Sequence, residues 1–305
     1  MKTTRELRAV LGAYPWGRVN AHVHTHLCDG SPEMTVRNIG SAAERAGVDL
    51  VVLTPHFHRH VADASEALYT DTDEAILLLL WKEIQDYVKQ GGQTRFLLSI
   101  EADILSQAGD LALPSSAVAG EALDLITPTL NYHPLLPLHG VRLTYGRDRD
   151  GLHQSGEYAR MAQTAGGVPA VLESLYDAQA NALRRAPYPA LLGHFFAAHS
   201  FATEYNWFGA EEAHLPLMKA GAEKVLDACT ETGAMVDITG VILNGRTPGQ
   251  QREKDGFLYE FQRWFLDACR ARDILYFPGS DAHSLQALGE SRHYEAMYEA
   301  AGGAK

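Results

Sequence analysis

Short apolar and β-branched runs alternate along this chain with longer segments in which apolar residues recur every three or four positions. The first pattern predicts strands and the second predicts helices that bury one face. Seven strands are expected, over residues 18–23 (RVNAHV), 49–54 (DLVVLT), 95–100 (RFLLSI), 123–130 (LDLITPTL), 189–194 (PALLGH), 234–239 (AMVDIT) and 273–278 (DILYFP). A helix over 31–47 is expected to take Ser31 as N-cap, Pro32 in its first turn and Gly47 as its stop. A second, over 71–92, starts on Asp71 or Asp73, and others cover 156–167, 218–233 and 257–272. Strands separated by helices of this length pair in parallel, which predicts an α/β fold, either a barrel or a doubly wound sheet. No repeat or linker divides the chain, so residues 1–305 are read as a single domain.

The helix over 71–92 is apolar most of the way round. Ile76, Leu77, Leu80, Ile84 and Tyr87 form one face, while Leu78, Leu79 and Trp81 lie off it. Such a helix needs cover on both sides, from a long loop or from a second subunit in a homo-oligomer.

Composition narrows the function. With 305 residues, 46% of them hydrophobic, the chain can bury a large core. A net charge of -12 argues against a nucleic-acid surface or a polybasic membrane patch, though not against a phosphorylated small molecule. The N-terminus lacks the apolar core of a signal peptide and there is no 18-residue apolar run, so a cytoplasmic protein is expected. Cys28, Cys229 and Cys269 form no metal or disulfide pattern and are read as reduced thiols.

Chemistry enters at the strand ends. In α/β barrels the reactive residues sit where strands run out at their C-terminal ends. His22, His24 and Asp29 follow the first strand in HVHTHLCDG, and His56, His58 and His60 follow the second in TPHFHRH. Glu101 ends the third, His133 follows the fourth, His194 ends the fifth, Asp237 lies in the sixth, and Asp281 and His283 follow the seventh. Any one of these has an ordinary explanation as a cap, a turn or a surface residue. Chance, however, would scatter them over both ends of the strands. In HVH, residues two apart point to the same face, so His22 and His24 can present both imidazoles to one ion. His26 continues the regular spacing but is left out of the set. Imidazole mixed with carboxylate, without thiolate, suits zinc, manganese or iron(II). The set is too large for one ion and fits two or three sharing a bridging carboxylate, an arrangement that typically holds a bridging hydroxide as nucleophile.

With these motifs in hand, the chain resembles the PHP (polymerase and histidinol phosphatase) superfamily over roughly residues 18–293. HVHTHLCDG, VVLTPH, SIEADI, NYHP, LLGH and GSDAH stand for its successive motifs, and VLDACTETGAMVDITG resembles a segment of its histidinol-phosphatase-like members. The resemblance implies a distorted (β/α)7 TIM-like barrel with a trinuclear site at the C-terminal ends of the strands. It assigns His22, His24, Glu101 and Asp281 to a first ion, with Glu101 bridging to a second held by His133 and His194. Asp29, His56 and His283 would hold a third. Glu101, Asp281 and His283 are expected to serve catalysis directly. The chain departs from the pattern at Pro55 and at Asp237-Ile238-Thr239, where the family has an acidic residue and E-I-N. TPH is closer to the superfamily's tyrosine phosphatases.

The expected activity is hydrolysis of a small phosphate monoester, histidinol-phosphate-like, with phosphotyrosine or a nucleotide as the alternative. Arg142, Arg147 and His199 are candidates to contact phosphate, with Arg160 and Arg246 behind them; for each arginine a surface charge is the competing explanation. His58 and His60 either support the site or belong to a solvated loop. The aromatic segment 195–208 can stack on a substrate ring or simply pack its loop. A C–N hydrolase of the amidohydrolase type also begins with HxH, but it places a carboxylated lysine where this chain has Glu101. A non-catalytic metal-binding module is the rival from outside the enzymes.

Overall fold

Helix α1 (Thr4–Gly12) is capped by a reciprocal pair in which Thr3 Oγ1 accepts from Glu6 N and the Glu6 carboxylate accepts from Thr3 N. It buries only Leu7 and Leu11, yet those two residues close the N-terminal end of the strands. The computed structural model describes residues 2–28, 30–57, 74–130, 163, 166–195, 212–238 and 248–288. All seven expected strands are present in shortened form: β1 (Val19–Val23), β2 (Leu50–Leu53), β4 (Arg95–Leu98), β6 (Thr127–Thr129), β7 (Leu191–Leu192), β8 (Met235–Asp237) and β9 (Tyr276–Phe277). Two short strands extend the second and third of them, β3 (His56–Phe57) and β5 (Glu101–Asp103).

The strands pair in parallel throughout, in the orders β1-β2-β4, β3-β5-β6 and β7-β8-β9. Single bridges join the groups, Ile126 to Ala190 and Val23 to Ala282, and Ala21 N donates to Pro278 O at 2.8 Å. The α/β character is therefore as expected, but the described strands divide among three small sheets and form no single closed ladder. Pro55, which has no N–H to donate, interrupts the run from β2 into β3, and β7 and β9 are only two residues long.

Alternation along each strand sorts the residues into two cores. Val51 and Leu53 face the larger core beneath the helices, whereas Leu50 and Val52 join Val19, Ala21, Leu97, Leu125, Leu191, Met235 and Phe277 in an inner cluster sealed by Leu7 and Leu11. Farther along the strands the inner positions turn polar. Thr54, Ser99 and Thr127 are fully buried, with Ser99 Oγ and Thr127 Oγ1 2.8 Å apart.

The helices depart from expectation in ways that have local causes. Helix α2 (Val36–Ala46) starts at Thr35, whose side chain accepts from Asn38 N, and not at Ser31. Residues 31–34 instead form a turn in which Met34 N donates to Ser31 O and His26 N donates to Met34 O. Gly47 ends α2 in the left-handed conformation, φ 70°, as expected. Helix α3 (Glu74–Lys89) buries Leu77, Leu80, Ile84 and Tyr87 and leaves Leu79 and Trp81 about half exposed. Helix α4 (Ala117–Ala122) follows Ser116 as N-cap. Helix α5 (Val168–Arg185), like α1 and α4, was not expected, while most of the expected helix over 156–167 lies outside the described residues. Helices α6 (Leu215–Thr232) and α7 (Pro248–Ala271) match the last two, α7 starting nine residues earlier than expected. Among the described residues no helix is long and apolar enough to cross a membrane.

If α1 seals the inner cluster, Leu11→Ala should lower the unfolding free energy by about 2 to 5 kcal/mol in denaturant titration. A loss below about 0.5 kcal/mol would mean that α1 only lies against the surface.

Candidate metal centre

Strand β1 contains an irregularity that decides where its histidines go. Val19 and Asn20 pair with Leu50 and Val51, but Val23 pairs with Leu53, so Ala21 and His22 together oppose Val52. Such a bulge re-aims the side chains that follow it. Ala21 stays with the inner cluster, Val23 turns outward into the larger core, and His22 and His24 are both completely buried.

Asp281 is brought to them by the segment after β9. Asn20 Nδ2 donates to Ser280 Oγ at 2.8 Å, Ser280 N donates to Asn20 Oδ1 at 3.0 Å, and Asp281 N donates to His22 O at 3.0 Å. Asp281 takes φ 51°, a left-handed conformation that aspartate tolerates better than most residues. Its Oδ1 lies 2.9 Å from His24 Nε2 and 3.7 Å from His22 Nε2. His283 Nδ1 donates to the Asp281 carbonyl at 2.8 Å, which fixes the proton on that nitrogen and leaves Nε2 as the ligand atom. The rings of His24 and His283 stack with centroids 4.1 Å apart.

Glu101 stands at the middle. Its Oε1 is 2.8 Å from His194 Nε2, and its Oε2 is 2.9 Å from His56 Nδ1 and 3.5 Å from both His22 Nε2 and His24 Nε2. His194 reaches it from a strained backbone, φ 25°. The preceding Gly193 allows this approach, since a Cβ there would fall 2.3 Å from Thr129 Cγ2.

Among the described residues three overlapping groups of donor atoms result: His22 with His24 and Asp281, His22 with Glu101 and His194, and His24 with His56 and His283. An ion with bonds of about 2.0–2.1 Å in tetrahedral geometry separates its ligand atoms by roughly 3.3 Å. His22 Nε2 fits that spacing: it is buried, makes no well-formed hydrogen bond, and sits 3.5 and 3.7 Å from two carboxylates. The donor set of imidazoles and carboxylates suits zinc, manganese or iron(II).

The electrostatics point the same way. Burial, the largest influence on His22, disfavours its charged form, yet the hydrogen bond to Asp237 and the nearby Glu101 and Asp281 carboxylates push its pKa up to about 9. Burial likewise raises Glu101, but His56, His194 and His22 overcome it and hold the carboxyl well below its usual range. Asp281 is lowered against burial by its bond to His24 and the charges of His22 and His283. These carboxylates are anions that require positive charge beside them.

No protein-family model matches the chain, and no curated protein does either. Solved structures do. A proposed histidinol phosphatase from Listeria monocytogenes superposes with a TM-score of 0.63 over 91% of this chain and 98% of its own, at 16% identity. Histidinol phosphate phosphatase from Lactococcus lactis, solved with Zn, L-histidinol and phosphate, gives 0.58 over 94% and 95% at 10% identity. The chain shares its fold with these two solved proteins. At these identities the likeness is one of architecture.

Of the residues expected to bind metal, the structure gathers His22, His24, His56, Glu101, His194, Asp281 and His283. Asp29 and His133 lie outside the described residues, as do His58, His60, Arg142, Arg147, Arg160, His199 and Arg246. His26 is directed elsewhere, its Nδ1 3.2 Å from Met34 O and its Nε2 3.6 Å from Glu83. Asp237 was noted on its strand but given no part in the site. It touches both His22 and the His194 backbone, and its position two residues beyond the inner Met235 is the signal that points to it.

Linkage gives the sign of a pH effect on metal-free protein. His22 binds its proton more tightly folded than unfolded, so the stabilisation is complete below pH 6.5 and is lost as pH rises through about 9. Calorimetry of chelator-treated protein should show Tm falling across that window, with His22→Gln removing much of the slope. Identical slopes for the two proteins would show that this imidazole is not held as a cation.

Proposed function

We propose that the protein is a metal-dependent phosphoesterase that hydrolyses a small-molecule phosphate monoester related to histidinol phosphate. Its cofactors are two or three divalent ions of zinc, manganese or iron(II), held in one barrel-like domain spanning residues 1–305. The observation that carries this reading is Glu101, a buried carboxylate with two imidazoles against its two oxygens and two more at 3.5 Å. A carboxylate presented on both oxygens to histidines from different strands is suited to bridge neighbouring ions. The Lactococcus lactis protein, solved with Zn, L-histidinol and phosphate, supports the same choice of cofactor and substrate class.

In this reading His22, His24 and Asp281 hold one ion, Glu101 and His194 share in a second with His133, and His56 and His283 join Asp29 at a third. When bound, the ions would neutralise the phosphoryl oxygens and make hydroxide available at neutral pH, coordination lowering the pKa of water from about 15.7 toward roughly 7. The chain's own residues set where this happens. His22, His24 and Glu101 are sealed from solvent, whereas the Asp281 side chain is 26% exposed, so substrate reaches the centre over Asp281 and His283. Arg142, Arg147 and His199 remain the proposed phosphate contacts. A guanidinium there would meet the phosphate oxygens with paired hydrogen bonds.

Purified protein reconstituted separately with manganese, zinc and iron(II) should release phosphate from histidinol phosphate or another monoester in a panel that includes nucleotides and phosphotyrosine. Chelation should abolish the activity, and His24→Ala and Asp281→Ala should each reduce kcat/KM by at least about 100-fold and lower the metal content. Hydrolysis confined to amides or lactones would replace this proposal with the amidohydrolase reading.

A further inference from the structure

We infer that Asp237 is a positioning residue of this centre, one carboxylate oxygen fixing both the His22 ring and the His194 backbone and so coupling two candidate metal subsites. The inference rests on the metal-dependent reading proposed above.

Asp237 ends β8 at an inner position and is fully buried. Its Oδ2 lies 2.8 Å from His22 Nδ1 and accepts from His194 N at 3.1 Å, while its carbonyl accepts from Phe195 N at 3.3 Å. An ionised carboxylate only accepts, so the His22 proton facing it belongs on Nδ1. In the neutral ring that would ligate an ion, the lone pair of Nε2 then faces Glu101 and Asp281. A carboxylate behind a ligating imidazole fixes its tautomer and orientation and increases its basicity.

The second bond acts on conformation. His194 occupies a φ of 25°, which a residue with a Cβ holds only when its surroundings enforce it. The Asp237 carboxylate and carbonyl bind the two successive N–H groups at that point, which keeps His194 Nε2 2.8 Å from Glu101. His22 belongs to two of the three donor groups and His194 to one of those two, whereas Asp237 is in none of them. Its part is to hold ligands in place.

The test is zinc binding to metal-free protein, measured by competition with a chromophoric chelator, together with the visible spectrum of the cobalt(II)-substituted form. Asp237→Ala should weaken zinc binding by about 10- to 100-fold and alter the cobalt spectrum. Asp237→Asn, which keeps an acceptor and loses the charge, should recover part of that loss with an unchanged far-ultraviolet circular dichroism spectrum, and it carries the test if the alanine variant does not fold. In a His194→Ala background the Asp237→Asn effect should shrink, because one of its two targets has gone. Wild-type protein that bound no zinc would remove the metal-dependent reading and this inference with it. Wild-type protein that bound zinc while both Asp237 variants bound it equally well would overturn the inference alone, and strict additivity with His194→Ala would overturn the coupling.

Discussion

A carboxylate shut away from water has to be given positive charge, and in this molecule the carboxylate is Glu101, 1% exposed. Removing an ion of this size from water costs several kcal/mol even after the protein relaxes, a penalty of the same order as the net stability of a domain. Four imidazoles from three separate chain segments converge on its two oxygens, and Asp281 adds a second anion to the same space. One imidazolium cannot offset all of this clustered negative charge, whereas a divalent cation shared by the imidazoles and carboxylates can. Much of the surrounding architecture serves to bring these groups together.

The strands accomplish this by a gradient along their inner positions. Aliphatic residues packed on Leu7 and Leu11 come first, then Thr54, Ser99 and Thr127, then His22, His24, Glu101 and Asp237. The apolar end provides the driving force for assembly, on the order of 25 cal/mol per Å² of apolar surface buried. The hydroxyl layer carries the transition, satisfying its own hydrogen bonds through pairs such as Ser99 with Thr127. Backbone strain is kept at the far end: of three non-glycine residues with positive φ among the described residues, His194 and Asp281 lie in the site. Both are held by hydrogen bonds from neighbouring strands, as stored strain at functional positions requires.

Legibility in the sequence followed the locality of the physics. Every strand was readable, because β-branched runs bounded by helical segments reflect a preference that acts within a few residues. The helices were less uniform. In α5 small or polar residues such as Ser174, Ala178, Gln179 and Ala182 occupy buried positions, which blurs the apolar stripe, and α1 shows only Leu7 and Leu11. Ser31 looked like an N-cap, but the bonds from His26 N to Met34 O and from Met34 N to Ser31 O captured that stretch as a turn and passed the cap to Thr35. A helix start is decided by competition between local hydrogen bonds, and composition alone does not rank them.

What the sequence by itself determined is which chemistry each strand delivers: HVH on the first, His56 after the second, Glu101 on the third, His194 on the fifth, Asp281 and His283 after the last. Strand periodicity and the short reach from a strand to the turn after it are local properties, so these assignments need no knowledge of partners. Only the tertiary structure decided who meets whom. The bulge opposite Val52 brings His22 and His24 onto the same side as Ala21, the turn at Met34 takes His26 away, and Asp237 grips His22 across 215 residues of chain. Contacts of that separation arise from the pairing order of strands and the shape of the space they enclose, and neither is written in any short stretch of residues.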